Sequence, residues 1–237
     1  MKLIIGTQEE VIKKAAQRYV KLLNEKPEAV LGLATGSTPL GLYAELAKLC
    51  AEGKLSFAKC TTFNLDEYIG LDGTHDQSYR YFMNKNLFEK VDIRMEATHV
   101  PSGAVKSDEE AEQYDAEIKA AGGIDLQLLG LGNIGFNEPL TPFTSMTHIV
   151  KLTDSTREAN KRFFASIDDV PTHAVTMGIH TVMQAKSIIL MAFGEGKAEI
   201  IKKTVEGRPE IAVPASLLQL HEDVELYLDE AAASKLS

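Results

Sequence analysis

The sequence predicts an α/β fold, Rossmann-like, with a mostly parallel sheet flanked by helices on both faces. Three observations predict it. Short apolar runs alternate with helical segments through all 237 residues. Strands separated by single helices form βαβ units, because a parallel pair needs a crossover connection. No linker, internal repeat or low-complexity stretch breaks the alternation, so residues 1–237 read as a single domain.

The elements follow in order. Leu3 to Ile5 is a short strand, and Thr7 with Glu10 has the spacing of a capping box opening a helix to about Leu23. Ala29 to Ala34 is an apolar strand, and the helix from Pro39 to about Ala51 carries its proline in the first turn. Cys60 to Leu65 is β-rich, and Gln77 to Lys90 is helical with aromatics at Tyr79, Tyr81, Phe82 and Phe88. Ser107 with Glu110 opens a second capped helix, acidic and ending at Gly122 and Gly123. Residues 124–131 and Thr147 to Leu152 are strands, and Asp154 to Phe164 is a helix. His173 to Met177, Ser187 to Phe193 and Val224 to Leu228 complete the strands.

The bulk composition bounds the partners. Net charge is −9 with a pI near 5.2, a sign that argues against nucleic acid or an anionic membrane. A phosphorylated small molecule remains compatible, since a few local cations and backbone amides hold one phosphate. Cys50 and Cys60 follow no metal-ligand or redox spacing and read as buried reduced thiols. No cluster of metal-ligand type is evident, so no metal is expected. Without a signal peptide or spanning apolar run, the cytoplasm is the expected location.

Chemistry is expected at the carboxyl ends of the strands, where open α/β sheets place their ligands. The turn Gly130 to Pro139 follows the strand of residues 124–129, and its glycines 130, 132 and 135 let the backbone approach a ligand. It delivers Asn133 and Glu138 to that edge. Thr35, Gly36, Ser37 and Thr38 stand between a strand and a helix. Their hydroxyls and the helix amides form either a phosphate cradle or an ordinary capped helix. Asp66 and Glu67 end a β-rich run, and one of them could simply cap the next turn. Arg162 shares a charged helix face with Arg157, Glu158 and Lys161. Lys197 stands at a helix start, where a cation opposes the helix dipole. His75, His148, His173 and His180 read as surface or capping residues.

Four segments together resemble the glucosamine-6-phosphate deaminase family of sugar-phosphate isomerases. They are Leu31 to Pro39, Phe63 to Tyr68, Ile134 to Pro139, and the pair Arg162-Phe163-Phe164 with Lys197-Ala198. The resemblance implies a deaminating hydrolase that converts glucosamine 6-phosphate and water into fructose 6-phosphate and ammonia without metal or organic cofactor. It implies that Thr35, Gly36, Ser37, Thr38, Arg162 and Lys197 bind the substrate phosphate. Asp66 matches the base that moves a proton between C2 and C1 of the open-chain sugar. Glu138 matches a residue that orients a ring-opening histidine.

This chain departs from the pattern at that histidine. The family's loop has three more positions between Gly132 and Ile134, the histidine among them, and Asn133 stands for its Asp/Asn position. Two alternatives therefore accompany the deaminase reading: a sugar-phosphate binding protein whose catalysis is impaired by the short 130–139 loop, and a hydrolase like the 6-phosphogluconolactonases. Residues 140–150 carry no lysine or arginine, unlike the larger regulated members, so the resemblance points to a short branch, monomer or small homo-oligomer.

Overall fold

The computed structural model describes residues 1–131 and 133–237. The chain opens with β1 (Lys2–Gly6) and α1 (Gln8–Glu25). The expected capping box is present: the Thr7 hydroxyl accepts from the Glu10 amide, and the Glu10 carboxylate accepts from the Thr7 amide. Next come β2 (Val30–Leu33), α2 (Leu40–Ala51), β3 (Thr61–Asn64), β4 (Asp66–Tyr68), α3 (Tyr79–Asn86) and β5 (Thr98–His99). The middle of the chain forms α4 (Asp108–Ala111), α5 (Gln113–Ala120), β6 (Leu126–Gly130), β7 (His148–Lys151) and α6 (Asp154–Asn160). The last part holds β8 (His173–Thr176), α7 (Ile179–Met183), β9 (Ile188–Ala192), α8 (Ala198–Glu206) and β10 (Val224–Asp229).

Seven strands form one parallel sheet in the order β1-β10-β9-β6-β2-β3-β5. The chain winds outward from β2 through β3 to β5, then returns to β6 and winds the other way through β9 and β10. β2 and β6 are therefore the strands where the winding reverses. Right-handed crossovers in opposite directions place their helices on opposite faces, with α1 and α2 packed together on one of them. The central strands β2 and β9 are buried throughout, as apolar runs covered on both faces must be. The core is continuous across the sheet, from Tyr19 and Tyr43 to Leu190 and Leu226. Among the described residues, no helix is long and apolar enough to cross a membrane.

Three expectations are corrected. Residues 148–151 and 173–176 do not join the parallel sheet; they pair antiparallel with each other, and β8 pairs antiparallel with β4. The resulting second sheet, β4-β8-β7, sits against a small apolar cluster of Tyr68, Phe136, Leu152 and Ala174. The helix expected from Ser107 is two helices, broken at Glu112, whose backbone ends one and begins the other. Cys60 is buried as expected, but Cys50 is only partly so and donates to the Asp92 carboxylate at 3.3 Å.

One residue joins the two sheets. Leu65 separates β3 from β4, donates to the Leu33 carbonyl of the large sheet, and accepts from the Met177 amide just past β8. The residue after it, Asp66, is thereby fixed by both sheets at once.

Candidate active site

A cavity of about 660 Å³ opens at the carboxyl ends of β2 and β6, between the loops that follow them. Two loops leaving in opposite directions cannot close over each other, which is why open α/β sheets place ligands at the reversal point. The volume lies within the range of roughly 300–1,000 Å³ typical of small-molecule sites. Thr35, Gly36, Ser37 and Thr38 line one part of it and Asp66 another, Asn133 lines it as well, and Arg162 and Lys197 reach it from separate segments.

The first part is a helix end without a lid of its own. α2 begins after Pro39, and no side chain caps it. The capped-helix reading of Ser37 and Thr38 is therefore not realised, and the first-turn amides are left to a ligand. Gly36 has φ of +94°, a backbone state that an L side chain resists, and nothing lies near where its Cβ would be. Lys197 ends a single 3-10 turn leading into α8. Its approach is set by Gly194, whose amide donates to both oxygens of Asp229 at 2.9 and 3.0 Å. Arg162 lies on a 3-10 turn after α6, an exposed residue with its guanidinium 4.7 Å from the Phe163 ring centre. Among the described residues, neither Arg162 nor Lys197 pairs with a carboxylate. Uncompensated cations beside a bare helix N-terminus suit a dianion.

The second part is dry. Asp66 is 5% exposed, and burial pushes its carboxyl up to about 8, with the neighbouring Glu67 charge adding to the effect. The two acids divide the roles the sequence left open. Alternation along β4 sends them to opposite sides, and Glu67 caps α3, accepting from the amides of Tyr79 and Arg80 at 2.9 and 3.0 Å. Asp66, with no such task, faces the cavity. Tyr68 and Tyr79 form the adjoining wall, their hydroxyls 3.3 Å apart and the Tyr79 ring stacked on Phe136.

The 130–139 loop closes against Asp66. Gly135 has φ of +69°, and a Cβ there would lie 2.8 Å from the Thr176 hydroxyl and 3.1 Å from Asp66 Oδ2. Thr176 is Asp66's partner across the β4–β8 pair, and its hydroxyl accepts the Phe136 amide at 3.1 Å. Ile134 is held at a φ of +51°, costly for a β-branched residue. The buried Asn137 amide group steadies that turn by donating to the Ile134 and Met177 carbonyls, both at 2.7 Å. Gly132 lies outside the described residues.

Glu138 is not part of the cavity wall. It is buried behind it, where Oε2 accepts from Asn133 Nδ2 at 2.8 Å. Its other oxygen accepts from the Thr153 amide and hydroxyl at 3.0 and 3.2 Å. Thr153 is the N-cap of α6, so one carboxylate ties the loop to the helix that leads to Arg162. Eight of the nine residues singled out from sequence thus line one cavity, and the ninth supports one of them. The sequence reading missed Gly135's contact with Asp66, and Thr176, Tyr68 and Tyr79. For Thr176 no sequence signal existed, because its role depends on a strand pairing with a residue 110 positions away. Among the described residues, no group of three or more His, Cys, Asp or Glu side chains has a metal-binding arrangement.

Comparison with known proteins agrees with this geometry. The profile of the family described as glucosamine-6-phosphate isomerases/6-phosphogluconolactonase matches residues 6–227. A glucosamine-6-phosphate deaminase of Clostridium perfringens is 52% identical over the full length of both chains. One from Thermoanaerobacter sp. is 50% identical, covering 99% of this chain and 94% of its own. Among solved structures, a monomeric glucosamine-6-phosphate deaminase superposes with a TM-score of 0.95 at 43% identity, over 99% of this chain and 100% of its own. The 6-phosphogluconolactonase of Trypanosoma brucei, at 18% identity and a TM-score of 0.75 over 100% and 98% of the two chains, shares the fold. With the profile running from the end of β1 into β10 and relatives identical at half their positions, this chain belongs to the glucosamine-6-phosphate isomerase/6-phosphogluconolactonase family.

Proposed function

We propose that this chain is a glucosamine-6-phosphate deaminase, taking glucosamine 6-phosphate and water to fructose 6-phosphate and ammonia. The observation that carries the reading is the pairing, in one cavity, of a bare helix end flanked by Arg162 and Lys197 with a buried carboxyl that holds a proton near neutral pH. Half identity over full length to deaminases supports it, whereas the lactonases share only the fold. The binding-only reading rests on the short 130–139 loop alone, and full-length identity to deaminases favours neither it nor the lactonase reading.

In this reading Thr35, Gly36, Ser37 and Thr38 hold the phosphate with the first-turn amides of α2, and Arg162 and Lys197 neutralise it from two sides. The C2 proton becomes acidic only when C1 is a carbonyl, so the sugar reacts in its open-chain form. Asp66, as carboxylate, removes the C2 proton and returns it to C1, while O1 takes the proton that the substrate ammonium gives up; the product carries a hydroxyl at C1 and an iminium at C2. Water adds to that carbon, and ammonia leaves with the electron pair of the C–N bond. A carboxyl with a pKa about 8 matches this work, because it both takes and returns a proton near neutral pH. Its burial keeps the transferred proton from solvent. Asn133 stands beside the reacting carbons and Glu138 positions it. The domain spans residues 1–237, acting as a monomer or small homo-oligomer; a close structural relative is described as monomeric.

The test is release of fructose 6-phosphate and ammonia in equal amounts from glucosamine 6-phosphate, with 6-phosphogluconolactone as the control substrate. Equal release supports the deaminase. Lactone hydrolysis without ammonia release would overturn it.

A further inference from the structure

We propose that Asn133 reads the substrate's C2 nitrogen through its amide oxygen, with Glu138 setting the orientation. The inference rests on the deaminase reading and assigns this side chain a role as specificity determinant, not as proton carrier.

An asparagine amide has a donor end and an acceptor end, and which end faces a ligand decides what it accepts. Here the choice is fixed. Glu138 Oε2 is a carboxylate oxygen 2.8 Å from the Asn133 amide, and a carboxylate only accepts, so the NH₂ end must face it. The Glu138 carboxylate cannot turn away, because its other oxygen accepts from the backbone and hydroxyl of Thr153. The Asn133 oxygen is consequently the free end. Among the described residues it has no hydrogen-bond partner, it is not a buried orphan, and its side chain lines the cavity.

Position selects the substrate atom. Asn133 lines the cavity in the same loop as Gly135, whose Cβ direction ends 3.1 Å from Asp66 Oδ2, and in this assignment it stands at the reacting end of the sugar. The groups there are the hydroxyl or carbonyl at C1 and the amine at C2. A fixed acceptor gains most from a cationic donor, since a hydrogen bond from a charged group is roughly twice as strong as a neutral one. Withdrawal of an N–H by the carboxylate behind it makes the amide oxygen a better acceptor still. An ammonium in the substrate, and the N–H of the iminium that follows it, both offer that donor. A sugar phosphate with a C2 hydroxyl offers a weaker one.

The test compares glucosamine 6-phosphate with glucose 6-phosphate by calorimetry in an Asp66→Asn background, which prevents turnover from obscuring binding. Asn133→Leu, close in size but without hydrogen-bonding groups, should lose about 10–100-fold in affinity for the amine. Its affinity for glucose 6-phosphate should move only a few-fold, and that for inorganic phosphate not at all. Glu138→Leu, which frees the amide to turn, should lose the same preference, and the double variant should lose no more than either single one. Equal loss for both sugars would mean a packing role and overturn the proposal, as would an unchanged preference for the amine. Asn133→Ala repeats the comparison without added bulk. The outcome is independent of the deaminase assay: failure of the wild-type protein to release ammonia defeats the proposed function, whereas unchanged discrimination in the calorimetry, with a wild type that does release ammonia, defeats only this assignment.

Discussion

The two ends of the cavity hold charge in opposite ways. At the end proposed to hold the phosphate, Arg162 and Lys197 are exposed and held on single 3-10 turns, and α6 before Arg162 buries none of its residues. At the end proposed to react, Asp66 is all but dry and fixed by two sheets through Leu65. The difference suits the work proposed for each end. A phosphate needs neutralising equally in substrate, transition state and product, so strong but compliant charges suffice. A proton transfer needs one atom held in place in a medium that changes its affinity for protons.

Substitutions at the two ends should therefore act on different kinetic constants. Asp66→Asn should lower turnover by about 10²–10⁴-fold or more, the range for a lost acid–base group, while sugar-phosphate affinity stays within a few-fold. Steady-state kinetics with calorimetry checks this, and a fully active variant would remove Asp66 as the base. Gly135→Ala should come next. The new methyl meets Thr176 and Asp66 and faces a backbone cost of about 1–3 kcal/mol, so a fall of about 10–100-fold in kcat with lower thermal stability is expected. Normal kcat with lower stability would show that Asp66 tolerates displacement. Lys197→Ala should raise KM roughly tenfold with little change in kcat, the pattern of an interaction made equally in ground and transition states. A kcat loss without a KM change would place Lys197 at the chemistry instead.

The smallest effect separates the ends by pH. Burial raises the Asp66 carboxyl from an ordinary 3.8 to about 8. The folded protein then binds a proton that the unfolded chain has already released. The stability this contributes is full below pH 3.8 and is lost as pH rises through about 8. Catalytic competence runs the other way, since C2 deprotonation needs the carboxylate. Melting temperature of the wild type relative to Asp66→Asn should therefore decline from pH 4 to pH 9, while kcat/KM climbs toward pH 8. A parallel pair of curves would show that Asp66 titrates like a surface acid.

Much of this was legible in the chain. Apolar runs gave the seven parallel strands except β5, which at two residues carries no pattern. The place of Thr35 to Thr38 between a strand and a helix was legible, but pattern left open whether they cap the helix or face a ligand; the structure shows that no side chain caps α2. The small antiparallel sheet was not. Its first strand is Asp66–Tyr68, three residues with two acids, and alternation cannot be recognised over so short a span. The position of Glu138 behind the cavity wall was not legible for a related reason. Its place in sequence puts it in the loop, but the left-handed turn at Ile134 and Gly135 and the bond to Thr153 carry its carboxylate behind the cavity wall. Which of two adjacent acids would face the cavity was open to pattern alone, because each could cap a helix and only the fold decides which helix is near; the resemblance had implied Asp66, and Asp66 is the one that lines the cavity.

Leu65 gives that choice a further meaning. As the lone residue between two sheets, it sets which members of β4 point into the cavity, and a strand has only two faces. That Asp66 faces the cavity and Glu67 caps α3 is therefore a matter of parity. One residue added or lost between Asn64 and Asp66 would exchange the two acids, giving the longer side chain to the substrate and the shorter one to α3. Two residues would restore the roles. Drift in this segment is thus constrained less by which amino acids it contains than by whether their number is odd or even.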